Sequence, residues 1–441
     1  MSSHKIGFNT AVSVVIANMI GTGVFTSIGF QVMGIQNGFA LLMLWIVGGV
    51  LALCGALTYG EIGVAFPQSG GEYNYLSKLY HPLVGFTSGW VSVTVGFAAP
   101  IAAAAMALAG YISKLYPSIN TVILAISVII IITSIHAINT KAGGLFQRIF
   151  TLAKIVCITM FIGFGLFHSP QHTTDFSVNS SAWSDIFSAS FAGSLIFVTY
   201  AYSGWNAATY ISGEIKNVKK NLPKSLIVGT FIVMIIYTLL NYVFLYSVPI
   251  DELKGVVEVG FLSANNIFGV STGKFMSLVI ALLLVSTISA MIFAGPRVMQ
   301  SMGNDLNGLR FFSKVNKNNV PYIAIIIQSI ISIVLVVTSS FESLITYVGF
   351  TLNLFTFLTV MGIFILRYKQ KGVERSYKTF LYPVTPLLFL FILLWILINI
   401  MINKPEESLY GLSTVLIGAL IYYITKGSKN KNEEKISVSN E

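Results

Sequence analysis

Two glycine-containing interruptions of apolar segments constrain this chain more than any other feature. The first, Met19–Phe25 (Met-Ile-Gly-Thr-Gly-Val-Phe), lies in the middle of the first long apolar segment. The second, Tyr202–Asn206 (Tyr-Ser-Gly-Trp-Asn), lies inside a later one. In lipid hydrocarbon, non-helical backbone is tolerated only where protein or a water-filled cavity covers it. Two broken membrane helices therefore predict a ligand site near the middle of the bilayer.

Apolar segments recur from one end of the chain to the other. Of its 441 residues, 55% are apolar and 10% are charged, whereas about a quarter of a typical soluble domain is charged. Runs long enough to cross about 30 Å of hydrocarbon predict an all-α integral membrane protein. Its twelve predicted transmembrane spans lie near residues 7–33, 39–65, 82–113, 119–139, 148–167, 184–212, 225–249, 270–302, 321–339, 343–366, 380–402 and 408–425.

The basic residues are distributed unevenly between the two sides of the predicted membrane. Of the 26 Lys and Arg residues, 21 share the side of the N-terminus, four lie on the other side, and Lys154 lies inside span 5. Since basic loops stay in the cytoplasm, both termini are expected there, in a multi-pass protein of the cell (inner) membrane. This bias accounts for the net charge of +10, so no nucleic-acid partner is expected. The polar segment 426–441 is predicted to be a disordered cytoplasmic tail.

The positions of the two interruptions predict an internal repeat. They lie in spans 1 and 6, and an odd number of helices per half reverses the direction of the second half. Residues 7–167 and 184–366 are therefore predicted to form a five-plus-five inverted repeat, an arrangement found in secondary transporters. Spans 11 and 12, residues 380–425, fall outside this repeat. Residues 1–425 form one predicted transmembrane domain.

The first interruption carries groups that suit a zwitterion. Gly21 and Gly23 flank Thr22, and each glycine costs an α-helix about 1 kcal/mol relative to alanine, which favours unwinding. Unwinding exposes N–H groups at the positive end of the outer half-helix, which suit a carboxylate, and carbonyls of the inner half-helix, which suit an ammonium group. Alternatively, the Gly-x-Gly sequence only permits close helix packing. The matching interruption in span 6 favours the binding site.

Aromatic residues surround the second interruption. Tyr200, Tyr202 and Trp205 lie next to the hinge formed by Ser203 and Gly204, and a tyrosine here could close over a bound ligand. The alternative is that these side chains pack inside the bundle or belong to an interfacial belt. Their depth near the middle of the span argues against a belt and leaves packing as the alternative for Trp205.

One lysine lies inside a predicted span. Lys154 is about six residues, or about 9 Å, into span 5, where a charge costs a few kcal/mol and usually faces a partner. Its ammonium group is predicted to lie beside the carbonyls freed in span 1, with Ser286, Thr287 or Ser289 of span 8 nearby. That is where a sodium-coupled carrier would bind Na⁺. The alternative is that the side chain extends to the inner headgroups.

The chain contains no P-loop, zinc signature or nucleophile elbow, so no catalytic residue and no cofactor is expected. His168 and His172 have helical spacing but lack a third metal ligand, and are predicted to be solvated loop residues. Glu61, Glu72 and Glu214 lie at the cytoplasmic ends of predicted spans. These three carboxylates are expected to form gate or structural ion pairs.

Four motifs together resemble those of the amino acid/polyamine/organocation (APC) permeases. They are Ile20–Phe25, the elements between Tyr59 and Tyr73, the elements between Gly204 and Asn217, and Ala294–Arg297, and they occur in the family's order over most of the chain. Within them, Gly-Trp-Asn and Glu-Ile-Lys-Asn most resemble the L-type amino acid transporter branch and its bacterial relatives. The resemblance implies a LeuT-like fold with broken spans 1 and 6 that carries amino acids by alternating access.

The resemblance also implies roles for individual residues. Thr22 and Gly23 would bind the substrate carboxylate, and carbonyls of Met19, Tyr200 and Ser203 would bind its ammonium group. Tyr200 occupies the position of the family's aromatic gate, and Lys154 matches a lysine that the family uses instead of sodium. The full set of substrate-binding residues expected is Met19, Ile20, Gly21, Thr22, Gly23, Tyr200, Ala201, Tyr202 and Ser203. The set expected to replace sodium is Lys154, Ser286 and Ser289.

The leading hypothesis is a sodium-independent exchanger or facilitator of neutral L-amino acids. No acidic residue lies at the interruptions to balance a basic substrate, and Ser203, where many L-type members have glycine, favours small cargo. Two alternatives stay open: a proton-coupled symporter in which Lys154 changes protonation, and a non-transporting amino acid sensor on the same fold. The loop 113–118 contains no cysteine, so the disulfide-linked heavy subunit of animal L-type members is not expected.

Overall fold

The computed structural model describes residues 5–138, 143–169, 174–371 and 375–438, and the regular elements within these ranges are helices. Nine helices in this part of the chain are long and apolar enough to cross a membrane. A bent pair, Ser180–Ile186 and Ala189–Glu214, gives a tenth candidate, and two shorter apolar helices lie at Thr151–Phe167 and Tyr322–Thr338. The prediction of an all-α, multi-span membrane protein is confirmed.

Each predicted span overlaps a helix or a group of helices. The number of the predicted span is used below as the label of those helices. Spans 1 to 6 are Phe8–Met19 with Gly23–Thr26 and Ile28–Gln31, Gly38–Ala65, Pro82–Val91 with the π-helix Ser92–Phe97 and Ala98–Ser113, Thr121–Ile138, Gly143–Phe167, and Ala189–Tyr202 with the 3₁₀ helix Ala207–Glu214. Spans 7 to 12 are Val218–Ser247, Val270–Asp305, Tyr322–Thr338, Phe341–Lys369, Val384–Asn403 and Pro405–Val438.

Two helices extend well beyond their predicted limits. Span 7 begins at Val218, seven residues before the predicted start at 225, and its first turns carry Lys219 and Lys220. Span 12 continues to Val438, past its predicted end at 425. Hydropathy marks the part of a helix that lies in hydrocarbon, whereas the helix itself can continue into polar sequence. Disorder of the polar tail at 426–441 stays a prediction, and residues 439–441 lie outside the described ranges.

Several short helices lie outside the predicted spans or, in one case, overlap the start of one. They are Gly71–Leu79, Ser180–Ile186, Ile250–Leu253, Val259–Phe268 and the 3₁₀ helix Asn307–Ser313. A search for long apolar runs misses them because they are shorter than a membrane crossing. Gly71–Leu79 joins spans 2 and 3, and Val259–Phe268 precedes span 8, so these helices lie at opposite ends of the bundle in the predicted topology.

Spans 1 and 6 are interrupted where the sequence predicts, and the interruptions pack against each other. Helix Phe8–Met19 ends before Gly21, and helix Ala189–Tyr202 ends at the hinge, where Gly204 has a φ of +97°. A Cβ atom at Gly204 would lie 2.8 Å from the carbonyl oxygen of Asn18, and one at Gly23 would lie 2.6 Å from the Cα of Ala201. The glycines therefore serve both unwinding and close packing, the two interpretations considered from the sequence.

On the predicted outer side, Ile250–Phe268 covers the outer half of span 1; we call this segment the outer lid. The N–H of Gly255 donates to the carbonyl of Gly29 over 2.8 Å. Tyr111 of span 3 is buried; its hydroxyl donates to the carbonyl of Phe25 over 3.2 Å and accepts from the N–H of Gly260 over 3.1 Å. These contacts join the outer lid to spans 1 and 3.

On the predicted cytoplasmic side, a buried ion cluster joins span 2 to span 10. The carboxylate of Glu61, 1% exposed, accepts two hydrogen bonds from Arg367, at 2.9 and 2.8 Å. Arg375 lies 3.3 Å away, and the backbone N–H of Thr379 donates over 2.7 Å. The prediction that Glu61 forms an ion pair is confirmed.

Candidate functional site

A cavity of about 460 Å³ lies where the two interruptions meet. Its wall includes Gly21, Thr22 and Gly23 of span 1 and the whole stretch from Thr199 to Ala207 of span 6. It also includes residues of spans 2, 3, 8, 10 and 11. From the interruptions it extends to residues that lie toward the cytoplasm in the predicted topology: Ser69, Gly70, Glu72, Tyr73, Glu214 and Arg297. The outer lid contributes no residue to this wall.

Hydroxyl groups from both broken spans meet at this cavity. Thr22 Oγ1 and Tyr200 Oη are 3.0 Å apart, and both side chains are buried. Thr22 stands at the start of the outer half-helix Gly23–Thr26, where free N–H groups give the helix end a partial positive charge. Gly21 lines the cavity, and a Cβ there would be in ordinary van der Waals contact, with Thr287 Cγ2 nearest at 3.8 Å. Thr22 and Tyr200 are thus brought together as the sequence predicts.

Tyr237 of span 7 is a site residue that the sequence analysis missed. It is fully buried, and its hydroxyl donates to the carbonyl of Met19, with the carbonyl of Ala201 3.1 Å away. One side chain thus joins the ends of the inner half of span 1 and the outer half of span 6. The available signal was a tyrosine near the middle of span 7, a helix that also contains Tyr242 and Tyr246. Aromatic residues are common in membrane helices, so this signal is weak.

Lys154 extends into the bundle and reaches the first interruption. Its Nζ donates to Thr287 Oγ1 over 2.6 Å and lies 3.4 Å from the carbonyl oxygen of Ile20. The side chain is 4% exposed. Contact with protein groups on spans 1 and 8 agrees with the partner interpretation, whereas the alternative of extension to the headgroups would leave the ammonium group outside the bundle.

The hydroxyl groups of span 8 are used unequally. Thr287 contacts Lys154, whereas Ser289 Oγ lies 2.7 Å from Nε2 of His136, a buried histidine of span 4. Ser286 Oγ is buried and has no hydrogen-bond partner among the described residues. On the helix, Thr287 therefore faces span 5 while Ser289 faces span 4.

The other predicted residues lie around the cavity or behind it. Ala201 and Ser203 line the cavity wall, and Ile20 offers its carbonyl to Lys154. Tyr202 reaches the cavity wall, but its hydroxyl donates to the carbonyl of Trp45 over 2.9 Å and its ring packs against Tyr237. Trp205 packs edge-on against Tyr59, with ring centroids 4.7 Å apart. Packing, the alternative considered for Trp205, is therefore present.

The cytoplasmic part of the cavity wall carries charged residues. Glu72, Glu214 and Arg297 all line it. The prediction that Glu72 forms an ion pair is wrong for the part of the chain that the structure describes, because its partners are the uncharged groups of Tyr59, Asn206 and Thr356. The short helix Gly71–Leu79 turns Glu72 inward, toward the cavity, and this helix was not predicted.

Within the described ranges, no three His, Cys, Asp or Glu residues are grouped so that they could hold a metal ion. His172, one of the two loop histidines considered from the sequence, lies outside those ranges. A site built from hydroxyls, backbone carbonyls, helix ends and one lysine can bind a small zwitterion. It does not provide the paired nucleophile and base of a covalent enzyme.

Comparison with known proteins agrees with this geometry. The family model for amino acid permeases matches residues 6–425. The chain is 29% identical over 432 residues to the serine/threonine exchanger SteT of Bacillus subtilis, covering 96% of this chain and 97% of that protein. It is 27% identical over 442 residues to the human b(0,+)-type amino acid transporter 1, covering 98% and 90%. It is 26% identical over 434 residues to the human large neutral amino acids transporter small subunit 2, covering 95% and 80%.

The match to the permease model covers nearly the whole chain, including both interruptions and the wall of the cavity between them. The APC resemblance seen in the four motifs is confirmed, and so is the prediction that the chain is a transporter and not an enzyme. The chain is a multi-pass membrane transporter that belongs to the amino acid permease family.

Proposed function

We propose that this chain is a sodium-independent exchanger of small, neutral L-amino acids that works by alternating access. The observation that carries the proposal is the cavity between the two interruptions, lined by Thr22 and Tyr200 and flanked by the buried ammonium group of Lys154. Three relatives support amino acids as cargo: one is named a serine/threonine exchanger, one an amino acid transporter and one a large neutral amino acids transporter.

The substrate would lie across the two interruptions. Its carboxylate would meet the N–H groups and hydroxyl of Thr22 and Gly23 at the start of the outer half-helix. Its ammonium group would meet carbonyls of Met19, Tyr200 and Ser203 at the ends of the broken helices. Support comes from Gly21, which lines the cavity, and from Tyr200, whose hydroxyl already lies beside Thr22. Ser203 lines the wall, and its side chain, larger than the hydrogen atom of a glycine, would favour a small substrate side chain.

Lys154 would take the place of a sodium ion. Its Nζ lies between the carbonyl of Ile20 and the hydroxyl of Thr287, which are oxygen ligands of the kind that a sodium ion would use. A fixed cation there removes the need for a bound one. Ser286 and Ser289 lie close to Thr287 on span 8. Their hydroxyl groups would complete the polar environment of the Lys154 ammonium group when the spans move.

The architecture that goes with this function is a twelve-span bundle with both termini in the cytoplasm. Residues 7–167 and 184–366 would form the inverted repeat, with residues 380–425 as two additional spans. Broken helices at corresponding places, spans 1 and 6, support the repeat, and the basic side of the bundle supports the orientation. The cavity extends to that side while the outer lid closes the other, so this conformation would be open to the cytoplasm. No cysteine in loop 113–118 is available for a disulfide-linked heavy subunit.

The test is uptake of radiolabelled alanine, serine and leucine into proteoliposomes, with and without amino acid inside, at equal pH on both sides. We expect uptake only into loaded vesicles, larger for alanine and serine than for leucine, and unchanged when choline replaces sodium. Uptake into empty vesicles would point to a facilitator, and a requirement for sodium would contradict the proposal. Saturable binding with no flux of any substrate would favour a sensor.

The variant Lys154→Ala tests the proposed role of the lysine. Loss of its charge-assisted hydrogen bonds, about 1.5–3 kcal/mol, is expected to lower the exchange rate by about tenfold or more. Lys219→Ala, at an exposed lysine of span 7, is the control and should exchange like the unmodified protein. Equal rates for Lys154→Ala and the unmodified protein would remove the proposed role of the lysine.

A further inference from the structure

Glu72 is a buried carboxylate on the wall of the transport cavity. It lies on helix Gly71–Leu79, between spans 2 and 3, and is 5% exposed. Burial of a carboxylate is unfavourable unless a cation or several hydrogen bonds compensate it. Within the described residues, the ion pairs of the protein do not include Glu72.

The two oxygens of this carboxylate have different surroundings. Three donors converge on Oε1: Tyr59 Oη at 2.6 Å, Asn206 Nδ2 at 3.1 Å and Thr356 Oγ1 at 3.5 Å. Oε2 accepts no hydrogen bond from the described residues. It is not one of the fully buried side-chain atoms that lack a partner, so part of its surface is exposed. Since Glu72 lines the cavity, Oε2 is the oxygen open to it.

The groups around Glu72 are neutral near pH 7. Tyr59 approaches from span 2, Tyr210 from the 3₁₀ helix of span 6, Tyr75 from its own helix, and the uncharged Thr356 from span 10. The charged residues Glu214 and Arg297 line the same cavity but form no ion pair with it. Burial raises the pKa of Glu72 to about 7, although the hydrogen bonds from Tyr59, Asn206 and Thr356 act in the opposite direction.

We propose that Glu72 is a proton-binding site of the transport cavity. A proton from cytoplasmic water adds to Oε2, converting the carboxylate into a neutral carboxyl group, while Oε1 keeps its three donors. Lys154 is not among the described partners of Glu72, so proton binding at Glu72 differs from a symport mechanism in which the lysine titrates. Its effect on transport rests on the proposed exchange function; the binding of the proton itself does not.

Proton binding at Glu72 is linked to the conformation of the cytoplasmic half of the cavity. Oε1 connects helix Gly71–Leu79 to span 2, to Asn206 at the second interruption and to span 10. Because the pKa of Glu72 is raised in this enclosed arrangement, a proton binds more tightly to this conformation than to one in which Glu72 is hydrated. Lowering the pH through about 7 therefore favours the enclosed arrangement, and raising the pH favours a hydrated one.

The direct test is infrared difference spectroscopy of the purified protein between about pH 6 and about pH 8. We expect a carboxyl C=O band that appears at the lower pH and is absent from Glu72→Gln. The control is Glu214→Gln, which removes an exposed carboxylate from the same cavity and should keep the band. A band that persists in Glu72→Gln, or no band in the unmodified protein, would overturn the proposal. This readout does not require transport, so failure of the exchange function cannot imitate failure of the proton site.

The functional test is the exchange rate as a function of cytoplasmic pH. We expect at least about a threefold change with a midpoint near 7, and a flat profile for Glu72→Gln at the low-pH level of the unmodified protein. Tyr59→Phe removes a donor that favours the carboxylate and should move the midpoint upward by about half a unit to one unit. It also serves as the second variant if Glu72→Gln does not fold. An unmoved midpoint in Tyr59→Phe, or a profile abolished by Lys154→Ala but kept in Glu72→Gln, would overturn the assignment.

Discussion

Gly204 shows how a single residue holds the two broken spans in register. Its φ of +97° lies in the left-handed region, and its α-carbon faces the carbonyl of Asn18 at the end of the inner half of span 1. Any side chain would meet both a conformational cost and a clash with backbone, which cannot move like the end of a flexible side chain. The hinge of span 6 and the end of the first helix of span 1 are therefore interlocked.

We expect Gly204→Ala to lower the exchange rate by about tenfold or more and to reduce thermal stability. The left-handed conformation alone costs an alanine about 1–2 kcal/mol, and relief of the clash would separate the interruptions. The control is Gly163→Ala in span 5, where a Cβ would meet no atom within 4 Å. Exchange rates and melting temperatures of the two variants in the same detergent check this, and equal behaviour would contradict it.

The sequence located some site residues and missed others for a physical reason. Thr22, Tyr200 and Lys154 stand out because a hydroxyl beside glycines, or a charge in hydrocarbon, is unusual by itself. Tyr237 does not stand out, and Glu72 was expected in an ion pair, because what makes them important is a backbone carbonyl or a set of donors on distant spans. Such partners depend on tertiary packing, which no local pattern reports.

At the scale of elements, the outer lid depends on close approach at one glycine. A Cβ at Gly29 would run into the carbonyl oxygens of Val256 and Leu253, the segment whose Gly255 hydrogen bonds to Gly29. The lid helix Val259–Phe268 is further attached through Tyr111. Because these contacts include the outer half of span 1, seating of the lid and the position of that half-helix are coupled.

We expect Gly29→Ala to prevent full seating of the lid. Amide hydrogens of Val259–Phe268, including that of Gly260, should exchange faster by about tenfold or more, because their contacts to Tyr111 and span 1 loosen. Hydrogen exchange with mass spectrometry measures this. Gly193→Ala is the matched control, since its Cβ would meet only Asn399 Oδ1 at 3.4 Å. Unchanged protection of the lid in Gly29→Ala would contradict the coupling.

Element prediction from the sequence was accurate where one physical requirement dominates. Apolar length located the long helices, and the glycines located the interruptions. The same criterion gave no information on Gly71–Leu79 or Val259–Phe268, whose formation depends on packing at the bundle ends. It also missed the polar extension of span 7 at Val218, since helix formation there does not require hydrocarbon.

At the scale of the whole molecule, the Glu61 cluster joins parts of the chain about 300 residues apart. Span 2, span 10 and the segment before span 11 meet at one carboxylate that is 1% exposed. Leaving one partner of such a cluster buried and unpaired costs about 3–5 kcal/mol. The cluster therefore contributes to the integrity of the cytoplasmic end of the bundle.

We expect Arg367→Met to lower the free energy of unfolding in detergent by about 1.5–3 kcal/mol, because Glu61 loses its bidentate partner and keeps Arg375 and the N–H of Thr379. The double variant Glu61→Leu, Arg367→Met should recover part of that loss, since no buried carboxylate remains. The half-exposed pair Lys404–Glu342 is the control, and Glu342→Gln should change stability by less than about 1 kcal/mol. If Arg367→Met also lowered the free energy of unfolding by less than about 1 kcal/mol, the cluster would not be stabilising.

The π-helix Ser92–Phe97 has a consequence for how cargo preference changes over evolution. A π-turn accommodates one residue more than an α-helix of the same rise, and Ser92, Gly96 and Phe97 lie on the cavity wall. Deleting one residue there would therefore give a continuous α-helix whose two flanking parts keep their present orientation. One codon lost would thus reposition the wall residues within this turn, Ser92, Gly96 and Phe97, while the rest of span 3 keeps its contacts.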